Sequence, residues 1–152
     1  MRTKRIGTIS FLIKEKKHTV KDNIDLVTGY IEEASKAKVD ILCLPESVLS
    51  LNTKEAMKAP GEILPAENFP GEMTSLFCET AKKYSVNLIL PYYVRENGKI
   101  FNQTNIINSG GELVGYYRKV QPTYSEIMWC HAGSELPVFE LSGVKIATMT
   151  CL

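Results

Sequence analysis

The sequence predicts an α/β fold built on a mixed sheet, and three observations carry that prediction. Apolar residues at helical spacing alternate with short β-branched runs in the first part of the chain. One run, Ile41-Leu42-Cys43-Leu44, is apolar without a break. The later part is punctuated by the turn dipeptides Asn97-Gly98, Gly110-Gly111 and Ser142-Gly143. Strand–helix alternation gives a sheet covered by helices on one side. An unbroken apolar run marks a strand buried on both faces. The first two dipeptides are hairpin chemistry and add antiparallel strands.

The elements follow in order. Arg5–Ile13 carries β-branched and apolar residues at short spacing and reads as a strand. Thr19 is a fair N-cap for a helix over Val20–Val39, whose apolar residues Val20, Ile24, Val27, Ile31 and Ala34 step by threes and fours. Asp40–Leu44 is the buried strand, stopped by Pro45. Ser47–Pro70, with Pro60, Gly61, Pro65 and Pro70, reads as loop with one helical turn near Lys54–Lys58. Helical spacing resumes over Gly71–Ser85 through Met73, Leu76, Phe77 and Tyr84. Strands follow at Val86–Val94, Lys99–Asn108 and Glu112–Lys119. After an irregular stretch, Val138–Leu141 feeds a last strand, Val144–Thr150. No repeat and no linker divides the 152 residues, so residues 1–152 are read as one domain.

Composition excludes several classes. With 18 basic and 17 acidic residues the net charge is +1. A nucleic-acid binder would carry a basic surplus to displace counterions. No apolar run approaches the ~20 residues of a membrane span. The basic start is followed by more charge rather than a signal-peptide pattern. Four cysteines, Cys43, Cys78, Cys130 and Cys151, show neither paired nor clustered spacing and read as reduced thiols of a cytoplasmic protein. Cys130 and His131 are adjacent, which is poor geometry for chelating one ion, and His18 stands apart. No metal and no cofactor is expected.

Ligand sites of α/β sheets lie beyond the carboxyl ends of strands. Three chemistry-bearing residues stand there: Glu46 after Pro45, Lys119 closing Glu112–Lys119, and Cys151 closing Val144–Thr150. Singly, each has an ordinary reading as a solvated acid, a surface cation or a packed thiol.

Taken together, "LCLPES", "YYRKVQPTYSE" and "GVKIATMTC" occur in the order of the three catalytic motifs of the nitrilase (carbon–nitrogen hydrolase) superfamily, which this chain resembles from Lys4 to its last residue. The resemblance implies the first half of a four-layer α-β-β-α sandwich, with 1–152 as a carbon–nitrogen hydrolase domain incomplete at its C-terminus. It makes Cys151 the nucleophile, Glu46 the general base, Lys119 the stabiliser of developing negative charge, and Glu126 a second active-site glutamate. Trp129 and Gly133 belong to the same extended motif. The implied reaction is hydrolysis of a small amide or nitrile through a thioester.

The chemistry suits the residues. A free thiol, with a pKa of ~8.5, is mostly protonated at neutral pH and needs a base. The anion formed by its attack needs a cation or oriented N–H groups. A Cys–His hydrolase using His131 would leave Glu46 and Lys119 without roles. Family members continue past the cysteine with an aromatic residue and an acid. Here Leu152 stands in the first of those places, which leaves the nitrilase, amidase and carbamoyl-amine branches open. The expected state is a homo-oligomeric, fragmentary hydrolase, inactive as 152 residues alone. The alternative is a non-catalytic relic serving as an interaction module.

Overall fold

The computed structural model describes residues 3–10, 19–53 and 66–150. Phe11–Ile13, His18, the turn at Lys54–Lys58, Cys151 and Leu152 lie outside the described residues.

Strand β1 (Ile6–Thr8) leads to helix α1 (Val20–Lys36) and strand β2 (Ile41–Cys43). The α1 N-terminus is a reciprocal cap. The Asp22 N–H donates to the Thr19 hydroxyl at 3.1 Å, and the Thr19 N–H donates to the Asp22 carboxylate at 2.8 Å. The helix stops three residues short of the expected Val39. Lys38 takes a left-handed backbone (φ 57°) and the Val39 N–H returns to the Ala34 carbonyl at 2.9 Å, which uses up the terminal carbonyls and turns the chain into β2.

Helix α2 (Glu72–Tyr84) follows a two-residue strand, β3 (Glu67–Asn68). The expected loop through Pro70 therefore contains a strand. It is too short and too polar to leave a pattern, and it is held by parallel pairing of Glu67 with Val94 and Asn68 with Arg95. Its buried Glu67 carboxylate accepts from the N–H groups of Met73 (2.8 Å) and Thr74 (3.1 Å), placing negative charge at the positive end of α2.

Strands β4 (Asn87–Glu96), β5 (Lys99–Ile107) and β6 (Leu113–Arg118) complete a mixed sheet of order β1-β2-β4-β5-β6, with β3 also on β4. The first three strands of that order are parallel and the last two antiparallel. Asn97 and Gly98, with φ of 50° and 75°, make the β4–β5 turn in the left-handed conformation such turns require. Both parallel crossovers step the same way across the sheet, so right-handed connections place α1 and α2 on one face. There Val27, Ile31, Phe77 and Ala81 pack on Leu42, Leu88, Leu90 and Tyr92. Phe77 is fully buried, and truncating such a residue to alanine costs about 3–5 kcal/mol.

The last strands, β7 (Phe139–Leu141) and β8 (Val144–Ile146), do not extend this sheet, in keeping with the two facing sheets of the expected sandwich. They form a separate hairpin. Leu141, Phe139, Val144 and Ile146 pack on Ile41, Ile89 and Ile106, which are the alternate residues of the strands that face α1 and α2. The layers are thus helices, mixed sheet and the beginning of a second sheet. Strand β8 ends at Ile146 rather than Thr150. Continuing the register that pairs Phe139 with Ile146 would set Pro137 against Thr148, and proline has no N–H to give. Leu136, Val138 and Met149 are 72%, 64% and 87% exposed, leaving an apolar outer surface beside this hairpin. Among the described residues no helix is long and apolar enough to cross a membrane.

Candidate active site

The side of the sheet away from the helices carries the site. Beyond β2, the Leu44 N–H bonds to the Ile89 carbonyl at 3.0 Å and the Val48 N–H to the Pro91 carbonyl at 3.1 Å. The chain carrying Glu46 therefore runs along β4. From α1, the buried Asn23 amide donates to the carbonyls of Leu49 (3.2 Å) and Leu51 (2.9 Å), fixing this segment from behind. Lys119 is set by main-chain bonds. Its N–H donates to the Asn102 carbonyl and its carbonyl accepts from the Gly133 N–H, both at 2.9 Å. A Cβ on Gly133 would run into the Arg118 carbonyl, so this close approach requires glycine.

Glu126 begins a 3₁₀ turn, Glu126–Met128. Its carboxylate accepts from the Thr123 N–H at 2.9 Å and the Thr123 hydroxyl at 3.1 Å, while the Cys130 N–H bonds to its carbonyl at 2.7 Å.

Glu46, Lys119 and Glu126 meet. The Lys119 Nζ donates to Glu46 Oε1 at 2.9 Å and to Glu126 Oε2 at 2.7 Å. The side-chain exposures are 32% for Glu46, 2% for Lys119 and 8% for Glu126, so the cluster runs inward from a reachable carboxylate through a buried ammonium to a buried carboxylate. Burial works against the charge of Glu126, but the Lys119 ammonium, the Thr123 N–H and Asn102 outweigh it and hold its pKa at about 2. Burial likewise opposes the charge of Lys119, and its bonds to Glu126 and Glu46 overcome this and raise its pKa. A cleft of about 350 Å³ opens beside Glu46. It is lined by Cys43, Ile89 and Thr104 from the sheet and by Ala147 to Thr150, the residues leading to Cys151. Cys151 itself lies outside the described residues.

Two side chains not anticipated from the sequence belong to this cluster. The Asn102 amide donates to Glu46 Oε1 at 2.7 Å and to Glu126 Oε1 at 3.0 Å. The Tyr93 hydroxyl donates to Glu126 Oε1 at 3.2 Å. The register pairs Tyr93 with Asn102, so both project from the same face. A signal existed: Asn102-Gln103-Thr104-Asn105 is a polar run inside a strand of a predicted core, and all four residues are buried.

Of the other histidines and cysteines, Cys43 lines the cleft and Cys130 lies against the cluster. His131 is exposed, lies 5.9 Å from the Phe101 ring, and makes no described bond to the cluster. Cys43, Cys78 and Cys130 are free thiols. No group of three potential metal ligands occurs among the described residues. A second hollow, also about 350 Å³, opens by Phe101, Tyr116 and Arg118. Its Arg118 is already bonded to Glu96 (3.0 Å) and Gln103 (2.9 Å).

Known proteins share this architecture. The chain is 30% identical over 137 residues to 2-oxoglutaramate amidase of Bacillus subtilis, covering 86% of this chain and 49% of the relative. It is 30% identical over 157 residues to an omega-amidase of Xenopus laevis, covering 97% and 54%. The chain spans about half the length of the curated relatives it matches. Among solved structures, a CN-hydrolase superfamily protein of Xanthomonas campestris superposes with a TM-score of 0.78 at 22% identity, covering 99% of this chain and 54% of that one. The NitN amidase of Nesterenkonia sp. AN1 gives 0.77 at 18% identity, covering 98% and 57%. Both share the nitrilase-type fold. Residues 8–152 match the family described as Carbon-nitrogen hydrolase. With that match over nearly the whole chain, and with the layered sheet and ordered motifs described above, this chain belongs to the carbon–nitrogen hydrolase family.

Proposed function

We propose that this chain carries the nucleophile and acid–base groups of a thiol-dependent hydrolase of small amides. The observation that supports this best is the Glu46–Lys119–Glu126 cluster, which opens on a cleft walled by the residues immediately before Cys151. In this reading Glu46 takes the Cys151 proton. The thiolate attacks the amide carbon, and Lys119 offers an N–H to the oxygen as it gains charge. Glu46 returns the proton to the leaving amine, a thioester remains, and Glu46 activates the water that releases the acid. Glu126, held ionised, keeps Lys119 charged and oriented. The amidase names of two relatives support an amide as the substrate class, while a relative named as a probable nitrilase keeps a nitrile as the second candidate.

The matched relatives are about twice as long as the matched stretch, and in this reading turnover needs a fold of that length rather than these 152 residues alone. The exposed Leu136, Val138 and Met149 fit a surface that further chain or a second copy would cover.

The test is alkylation by iodoacetamide at pH 7 with peptide mapping. Cys151 should react well ahead of Cys43, Cys78 and Cys130, and Glu46→Gln should remove its advantage. Equal labelling of all four thiols would leave the interaction-module reading in its place.

A further inference from the structure

Asn102 is fully enclosed in β5, and its amide touches both acids of the cluster at once. A primary amide has two N–H groups, and here each has one carboxylate oxygen to meet, Glu46 Oε1 at 2.7 Å and Glu126 Oε1 at 3.0 Å. The opposite orientation would face the amide oxygen toward two anions, so the neighbours dictate the orientation. Its Oδ1 is buried without a partner among the described residues. Leaving a buried acceptor unpaired is costly. The arrangement commits the amide's donors to the two acids and leaves its acceptor unpaired.

The bonds form a closed circuit. Asn102 joins Glu46 to Glu126, and Lys119 joins Glu126 back to Glu46. Both donors reach Glu46 through the same oxygen, Oε1. No bond to Oε2 occurs among the described residues, so one oxygen is anchored and the other remains available. The other titratable groups against the cluster are Tyr93 from β4, which donates to Glu126, and Cys130, whose thiol burial pushes up to about 11. Neither donates a hydrogen bond to Glu46.

We infer that Asn102 is a positioning residue whose amide clamps Glu46 and Glu126 together, so that Glu46 presents its second oxygen to the cleft as a base. This rests on the hydrolase reading above, which makes Glu46 the base.

The first experiment needs no activity. In ¹⁵N-labelled chain, both side-chain amide protons of Asn102 should resonate downfield of ordinary asparagines. Glu46→Gln, a change at a partly exposed residue, should move one proton and leave the other. Amide protons at ordinary positions, or a pair that Glu46→Gln leaves unmoved, would end the clamp. The second experiment separates positioning from packing. In Asn102→Leu, Cys151 alkylation at pH 7 should slow by about tenfold or more, the scale seen for supporting-shell partners at metal sites, while the spectrum elsewhere is kept. An unchanged Cys151 rate with both amide contacts intact in the parent would reduce Asn102 to a packing role. If Cys151 of the parent chain is no more reactive than the other thiols, the hydrolase reading fails, and the amide spectrum still decides whether the clamp exists.

Discussion

Lys119 Nζ lies 2.9 Å from Glu46 Oε1 although 73 residues separate them along the chain. The contact is made because β2 and β6 end at the same rim of one sheet, and because Glu126 follows within a single loop. Removing the cation should be severe. In Lys119→Met the ammonium disappears and Glu126 is left buried with its charge unpaired, which costs about 3–5 kcal/mol. Urea unfolding monitored by the fluorescence of Trp129 should show a lower midpoint with an unchanged slope.

Glu126 also sets an acid dependence. Its folded pKa, about 2, lies below the ordinary glutamate value of 4.5. The unfolded chain therefore takes up the proton first as pH falls. The stabilisation is fully present above about pH 4.5, declines as pH falls below that value, and is gone once pH passes through about 2. Glu126→Gln should flatten the stability–pH curve within that window and leave its slope above pH 6 unchanged. Unfolding free energies measured from pH 2 to pH 7 would check this.

Two glycines should respond in opposite directions. Gly133→Ala drives a methyl group into the Arg118 carbonyl and should cost about 1–3 kcal/mol while loosening the Lys119 carbonyl contact. Gly29→Ala on the exposed side of α1 meets nothing within 4 Å and should stabilise by about 0.4–1 kcal/mol. Thermal melts of the two variants give the comparison directly.

The described thiols should be sluggish. Burial raises the pKa of all three, and that of Cys130 reaches about 11. At pH 7 Cys130 is ionised to about one part in ten thousand, roughly three hundredfold below a free thiol of pKa ~8.5. Time-resolved alkylation should find Cys130 slower still than Cys43 and Cys78, since it is also the most enclosed.

The helices, the strands that pack on them and the mixed character of the sheet were legible in the residue pattern alone. Those features follow from local periodicity: the 3.6-residue stripe from Val20 to Ala34, the unbroken Ile41–Leu44 run, and left-handed turns at Asn97-Gly98. The strand pattern also set Glu46 and Lys119 beyond strand ends, while Glu126 was named only through the family resemblance. Other features arose only when distant segments packed. Whether the last hairpin would widen the first sheet or begin a second depended on Leu141 and Phe139 finding Ile41, Ile89 and Ile106, contacts that no local pattern encodes. The premature end of β8 came from Pro137, across the hairpin rather than within the strand. Asn102 and Tyr93 gained their partners only through register, because pairing β4 with β5 sets which side chains emerge together on one face. Local chain chemistry fixes what each segment can become, and long-range packing, where a shift of one residue would turn every side chain to the other face, fixes which of them meet.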